Sequence, residues 1–202
     1  MSALALVLLV LSGILGLPQY FSRFRGRGNR VLYGFAAAQL VLLGASAVVA
    51  LVSVHAAGAA GAVPVAVAFS VAAAALGGGP VTVAVLQLSQ RADREEAEAR
   101  TGPGEAAGTL AESGAAAEAG AAARSGAAAL RGGTWIGLLE RIAIAATLWA
   151  GWPEGLAVVL AVKGLGRYSE LSTDGAAERF ILGTFASVLW ACACTGVGML
   201  VR

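Results

Sequence analysis

Charged side chains are scarce in this chain, at 13% of its 202 residues, where a soluble domain carries roughly a quarter. Histidine occurs once, at His55, and cysteine twice, at Cys192 and Cys194. The shortage of charge excludes an ordinary soluble domain, whose surface must be polar over most of its area. A net charge of +2 gives no ground for a nucleic-acid partner. Two cysteines two positions apart on a helix point about 200° away from each other, which argues against a disulfide between them. His55 lies in a different segment, so the residues that most often bind transition metals are not gathered. No nucleophile stands beside an oriented base. No catalytic residue, metal ligand set or cofactor is therefore assigned.

What the chain has in abundance is apolar sequence, 58% of it. Six apolar segments stand out: Ala3–Leu17, Val31–Val54, Ala62–Leu88, Thr134–Gly151, Glu154–Tyr168 and Phe180–Val201. The second and third contain no charge at all and exceed the roughly 20 residues that cross a hydrocarbon core. They also lack the polar stripe of a helix in a soluble core. These features predict an all-α, polytopic membrane protein of about six transmembrane helices, five if the short first segment does not span. That first segment lacks the basic start and small-residue cleavage site of a signal peptide, and arginines follow it between positions 23 and 30. With the N-terminus outside, those arginines, those between 91 and 131, and Arg167 and Arg179 all fall on the inner side, against Arg202 outside. This is the positive-inside pattern.

The organisation divides into a first transmembrane half at 1–88, a polar stretch at 89–133 and a second half at 134–202. The polar stretch opens with mixed charges that can extend the third helix, then becomes nearly all Ala, Gly, Ser and Glu. Such a composition cannot offset ordering entropy, so a flexible cytoplasmic linker is expected. Trp135, Tyr168, Phe180, Trp149 and Trp152 are expected at headgroup level, Pro153 to separate the fourth and fifth helices, and Asp174 to cap the sixth. Gly77-Gly-Gly-Pro80 is expected to kink or interrupt the third.

Chemistry is concentrated in the second half. Glu140 and Arg141 stand about 9 Å inside the fourth segment, and Lys163, Arg167 and Glu170 lie on the returning fifth. Lys163, Arg167 and Glu170 share one helix face. Each isolated charge at such depth costs about 2–3 kcal/mol, so partners are required. Counting equally back from a turn at Trp152–Pro153 brings Glu140 level with Lys163 and Gly137 level with Arg167, which predicts a Glu140–Lys163 ion pair. Arg141 points elsewhere and needs another partner, with Glu178 at the start of the sixth segment as candidate. The cluster admits three uses: holding the bundle together, binding an ion, proton or anionic headgroup, or catalysis. In the sixth segment Gly183, Ser187, Ala191, Cys194 and Gly198 recur at helical spacing and suit close helix packing, within the chain or between subunits.

The string Trp135-Ile-Gly-x-Leu-Glu140-Arg141, then Glu154, Lys163, Arg167, Glu170-Leu171, Glu178-x-Phe-Ile-x-Gly183-Thr184 and Ser187 resembles an uncharacterised, domain-of-unknown-function family of small bacterial integral-membrane proteins. The resemblance covers about residues 134–191 and implies a membrane fold without a catalytic role. A composition heavy in Ala, Gly, Val and Arg points to a high-GC bacterial gene. The expected location is the bacterial cytoplasmic membrane. The expected role is a non-enzymatic structural or accessory component, with the lipid bilayer and a second copy or another membrane protein as partners. A small transporter or channel using Glu140, Lys163 and Arg167 is the first alternative, and a lipid-binding or lipid-modifying protein the second.

Overall fold

A computed structural model describes residues 2–17, 29–57, 63–100, 133, 135–166, 168 and 176–202. All regular structure in these residues is helical: α1 Ser2–Ile14, α2 Asn29–Ala57, α3 Val63–Arg100, α4 over 135–149, α5 Gly155–Gly166 and α6 Ala176–Leu200. Three are long and apolar enough to cross a membrane, over Val31–Ser53, Val63–Asp93 and Ala177–Leu200. The shorter apolar helices α1 and α5 rise only about 20 Å or less, against a hydrocarbon core of about 30 Å.

The register of contacts gives the helix directions. Ala5 meets Ser46 and Ser12 meets Gln39, so α2 runs antiparallel to α1. Gly13 abuts Ala73 and Gly16 abuts Leu76 and Gly77, so α1 and α3 run together. Opposite them, α6 passes Gly198 by Ser70 and Gly183 by Thr82 and Leu86, antiparallel to α3 and packed on it more extensively than α1 or α2. The core between them is formed by Leu9, Leu43, Ala74, Ile144, Trp190 and Cys194, among other buried residues.

Two points that the sequence leaves open take a definite form. The first segment, taken as a candidate crossing over Ala3–Leu17, is a helix that ends at Ile14. Its Gly16 lies against Leu76 and Gly77, close to the midpoint of the apolar stretch of α3, so α1 accompanies about half of that stretch. Of the two outcomes expected of Gly77–Pro80, a kink or an interruption, the interruption does not occur: α3 stays helical from Val63 to Arg100 with Pro80 inside. Proline withholds an N–H from the carbonyl one turn back, that of Leu76, and side chains of other helices donate to the neighbouring carbonyls of Ala73, Ala75 and Gly77. The charged start of the polar stretch extends α3 to Arg100 as expected. Residues 101–132, which hold most of the anticipated linker, lie outside the described residues, as does Asp174.

The turn between α4 and α5 follows from its residues. Gly151 takes φ +69°, a left-handed conformation that glycine adopts without a Cβ penalty. Its N–H donates to Leu148 O, and the Trp152 N–H reaches back to Thr147 O, the two bonds of a Schellman cap. Pro153 follows, where a helix cannot continue. Gly155 begins α5 close against Thr147, and the two helices form the expected tight hairpin.

Candidate functional site

The hairpin sets Glu140 on α4 opposite Lys163 on α5. Lys163 Nζ donates to Glu140 Oε2 at 2.6 Å, the pairing that the turn position predicts. The two side chains are 12% and 19% exposed, Glu140 being the more buried. Lys163 also stands 5.8 Å from the centroid of the Phe180 ring on α6, within cation–π range. The pair thus ties α4 to α5 and leans the ammonium toward α6.

Arg141, the next residue, points into the bundle and is 4% exposed. Glu178, the candidate partner, is exposed at the start of α6. Arg141 Nε and Nη2 donate to Ala75 O at 3.1 and 2.9 Å, and Nη1 donates to Ser187 Oγ at 3.4 Å. The guanidinium therefore connects α4, α3 and α6. Its donors spread in one plane, which lets two of them converge on one carbonyl oxygen.

Other α3 carbonyls are used in the same way. Trp190 Nε1 of α6 donates to Ala73 O at 3.2 Å, and Gln39 Nε2 of α2 donates to both Gly77 O and Ser12 O at 3.0 Å. Glycines make room for these side chains. A Cβ at Gly78 would stand 2.5 Å from Arg141 Cδ, and one at Gly77 would run into the Trp190 ring. The run expected to break α3 is thus where side chains from α2, α4 and α6 converge on its backbone. Gln39 is fully buried, and its Oε1 has no hydrogen-bond partner.

The remaining expected site residues are distributed as follows. Arg167 and Glu170 lie outside the described residues. Gly183, Ser187 and Gly198 face α3 or α4, and Ala191 and Cys194 are fully buried in the core, so this stripe serves packing within the chain. Trp149, beside the α4–α5 turn, donates from Nε1 to Ser70 Oγ at 2.9 Å. Trp135, Trp152 and Tyr168 are exposed, as rings at an interface would be. Sequence reasoning missed Gln39, Trp190, Gly13 and Gly16. Gln39 alone carried a signal, as a lone amide within an uncharged apolar tract.

Among the described residues no group of three His, Cys, Asp or Glu side chains could hold a metal ion. An open apolar groove of about 410 Å³ runs between α1 and α3, lined by residues that include Leu6, Val10, Val65 and Phe69, with no charged residue on its walls. Comparison with protein-family models, with curated proteins and with solved structures finds no match.

Proposed function

We propose that this chain is a multi-pass protein of the bacterial cytoplasmic membrane, N-terminus outside, with a non-enzymatic structural or accessory role. The α4–α5 hairpin holds the bundle in shape and presents it to a second copy or to another membrane protein. The observation that carries this reading is how the deep charges are used. Glu140 is answered by Lys163 at 2.6 Å, and Arg141 is directed to the Ala75 carbonyl and Ser187. Charges placed at membrane depth are expensive, and here their described contacts knit helices together. The resemblance over 134–191 to small bacterial membrane proteins belongs to the same proposal.

A second reading, a small transporter or channel with Glu140, Lys163 and Arg167 along its path, draws on the half-length α1, since helices that stop at membrane depth often border substrate or ion sites. Reconstitution in proteoliposomes separates the two. The structural reading expects ion and proton flux no greater than in empty vesicles, with Glu140→Gln altering only thermal stability. A flux that Glu140→Gln abolishes at unchanged melting temperature replaces it with transport.

A further inference from the structure

Where α2 begins and α3 leaves its apolar stretch, polar groups gather that the charged hairpin does not use. The Arg91 guanidinium lies over the Tyr33 ring, 4.9 Å from its centroid, and Arg91 is exposed. Gln87 precedes Arg91 by one turn on the same face of α3. Thr184 of α6 follows Gly183, which packs against Thr82 and Leu86, so it sits at the same level. The Tyr33 hydroxyl, Gln87 Oε1 and Thr184 Oγ1 are all buried, and none has a hydrogen-bond partner.

Folded proteins rarely leave even one such group unanswered, and three at one level of one bundle point to a partner from outside the chain. Their chemistry defines it. The two hydroxyls can donate to an anionic oxygen, and Arg91 at the rim favours a negative charge there. Gln87 Oε1 only accepts, and with both hydroxyls directed to the anion it takes its donor from the ligand. The level matches the headgroups, because the apolar stretch of α3 ends at Asp93. We propose that Tyr33, Gln87, Arg91 and Thr184 form a site for the headgroup of an anionic, hydroxyl-bearing phospholipid. Its phosphate takes the Tyr33 and Thr184 hydroxyls and the Arg91 guanidinium, and its headgroup hydroxyl donates to Gln87 Oε1. Arg91, long and exposed, is the member that moves to admit it. The inference rests on the membrane-spanning reading and not on whether the chain is structural or a transporter.

The test uses the full chain, purified in detergent and stripped of native lipid. It is titrated with dioleoyl phosphatidylglycerol, with phosphatidylcholine of the same acyl chains and with inorganic phosphate. Melting temperature and lipid retention in native mass spectrometry are recorded. Phosphatidylglycerol should raise the melting temperature and remain bound, and the other two should do neither. Arg91→Met should weaken retention about tenfold, the effect of losing one charge-assisted contact. Tyr33→Phe keeps the ring beneath Arg91 and removes an unpartnered hydroxyl. It should melt no lower than the parent without lipid, yet lose the lipid-dependent rise. Should that variant fold poorly, Thr184→Val gives the same reading. Equal stabilisation by phosphatidylcholine or by inorganic phosphate overturns the proposal, as does a full phosphatidylglycerol response in both hydroxyl-deleted variants.

Discussion

The two halves of this bundle are held together by different means. Among α1, α2 and the part of α3 up to Gly77 the described contacts are close and neutral. Gly13 brings α1 against the Ala73 backbone, Ser46 Oγ donates to Ala5 O at 2.7 Å, and Gln39 spans Ser12 and Gly77. Among α4, α5 and α6 the polar contacts are charged, through Glu140–Lys163 and Arg141. Hydrocarbon gives little hydrophobic drive for helix association, so close approach and interhelical hydrogen bonds carry it. The first half uses glycine for approach. The second uses the cost of an unpaired charge, which penalises every arrangement that separates the partners. Both devices end on the α3 backbone between Ala73 and Gly77, the side-chain donors coming from α2, α4 and α6.

The largest effect is expected where glycine faces backbone. A Cβ at Gly16 would overlap the Leu76 carbonyl oxygen and stand 2.7 Å from Gly77 Cα, and neither can turn aside as a side chain would. Gly16→Ala should therefore lower stability by about 3 kcal/mol, at the upper end of overpacking costs, seen as a lower melting temperature in detergent. An unchanged melting temperature would show that α1 does not approach α3 this closely.

A smaller loss is expected from Glu140→Gln, about 1–3 kcal/mol, because Lys163 would stay half-buried without a countercharge. Adding Lys163→Met should recover much of it, and the coupling in the double-mutant cycle measures the pair itself. Strictly additive effects would reject an energetic link between α4 and α5 at this point and leave the halves alike.

These two sites differ in how far the sequence announces them. The Glu140–Lys163 pair was legible because charges are rare in an apolar tract and Gly151-Trp152-Pro153 marks the turn from which depth can be counted. The helices were legible for a related reason, since uncharged runs such as Val31–Val54 leave little alternative to a membrane helix. The shortness of the first segment was legible, but the level at which α1 stops beside α3 was not. Apolar residues continue through Leu17, and no local feature records that Gly16 comes level with the middle of α3. The partner of Arg141 was hidden for another reason. Sequence reasoning sought a carboxylate and named Glu178, whereas the main acceptor is a backbone carbonyl at Ala75, and every residue carries one. The convergence on α3 was half-visible. The run Gly77-Gly-Gly-Pro80 marked the place, but its glycines admit Trp190 and Arg141 and the helix continues through them.

The smallest effect tests whether glycine means the same thing throughout the first half. Gly44 lies in the interior of α2, exposed, and a Cβ built there would meet nothing within 4 Å. In the isolated bundle Gly44→Ala should therefore be neutral or stabilising by at most about 1 kcal/mol, the helix-propensity gain of alanine over glycine. Its contrast with Gly16→Ala would show that approach to a neighbouring backbone, and not glycine content, holds α1 to α3. The same substitution also examines the face of α2 left uncovered in the single chain. Melting temperature and particle mass in mild detergent should both stay unchanged if lipid alone meets that face. A drop in melting temperature together with a fall in mass would mean that a second helix rests against Gly44. Close packing by glycine would then operate between copies of the chain as well as between α1 and α3.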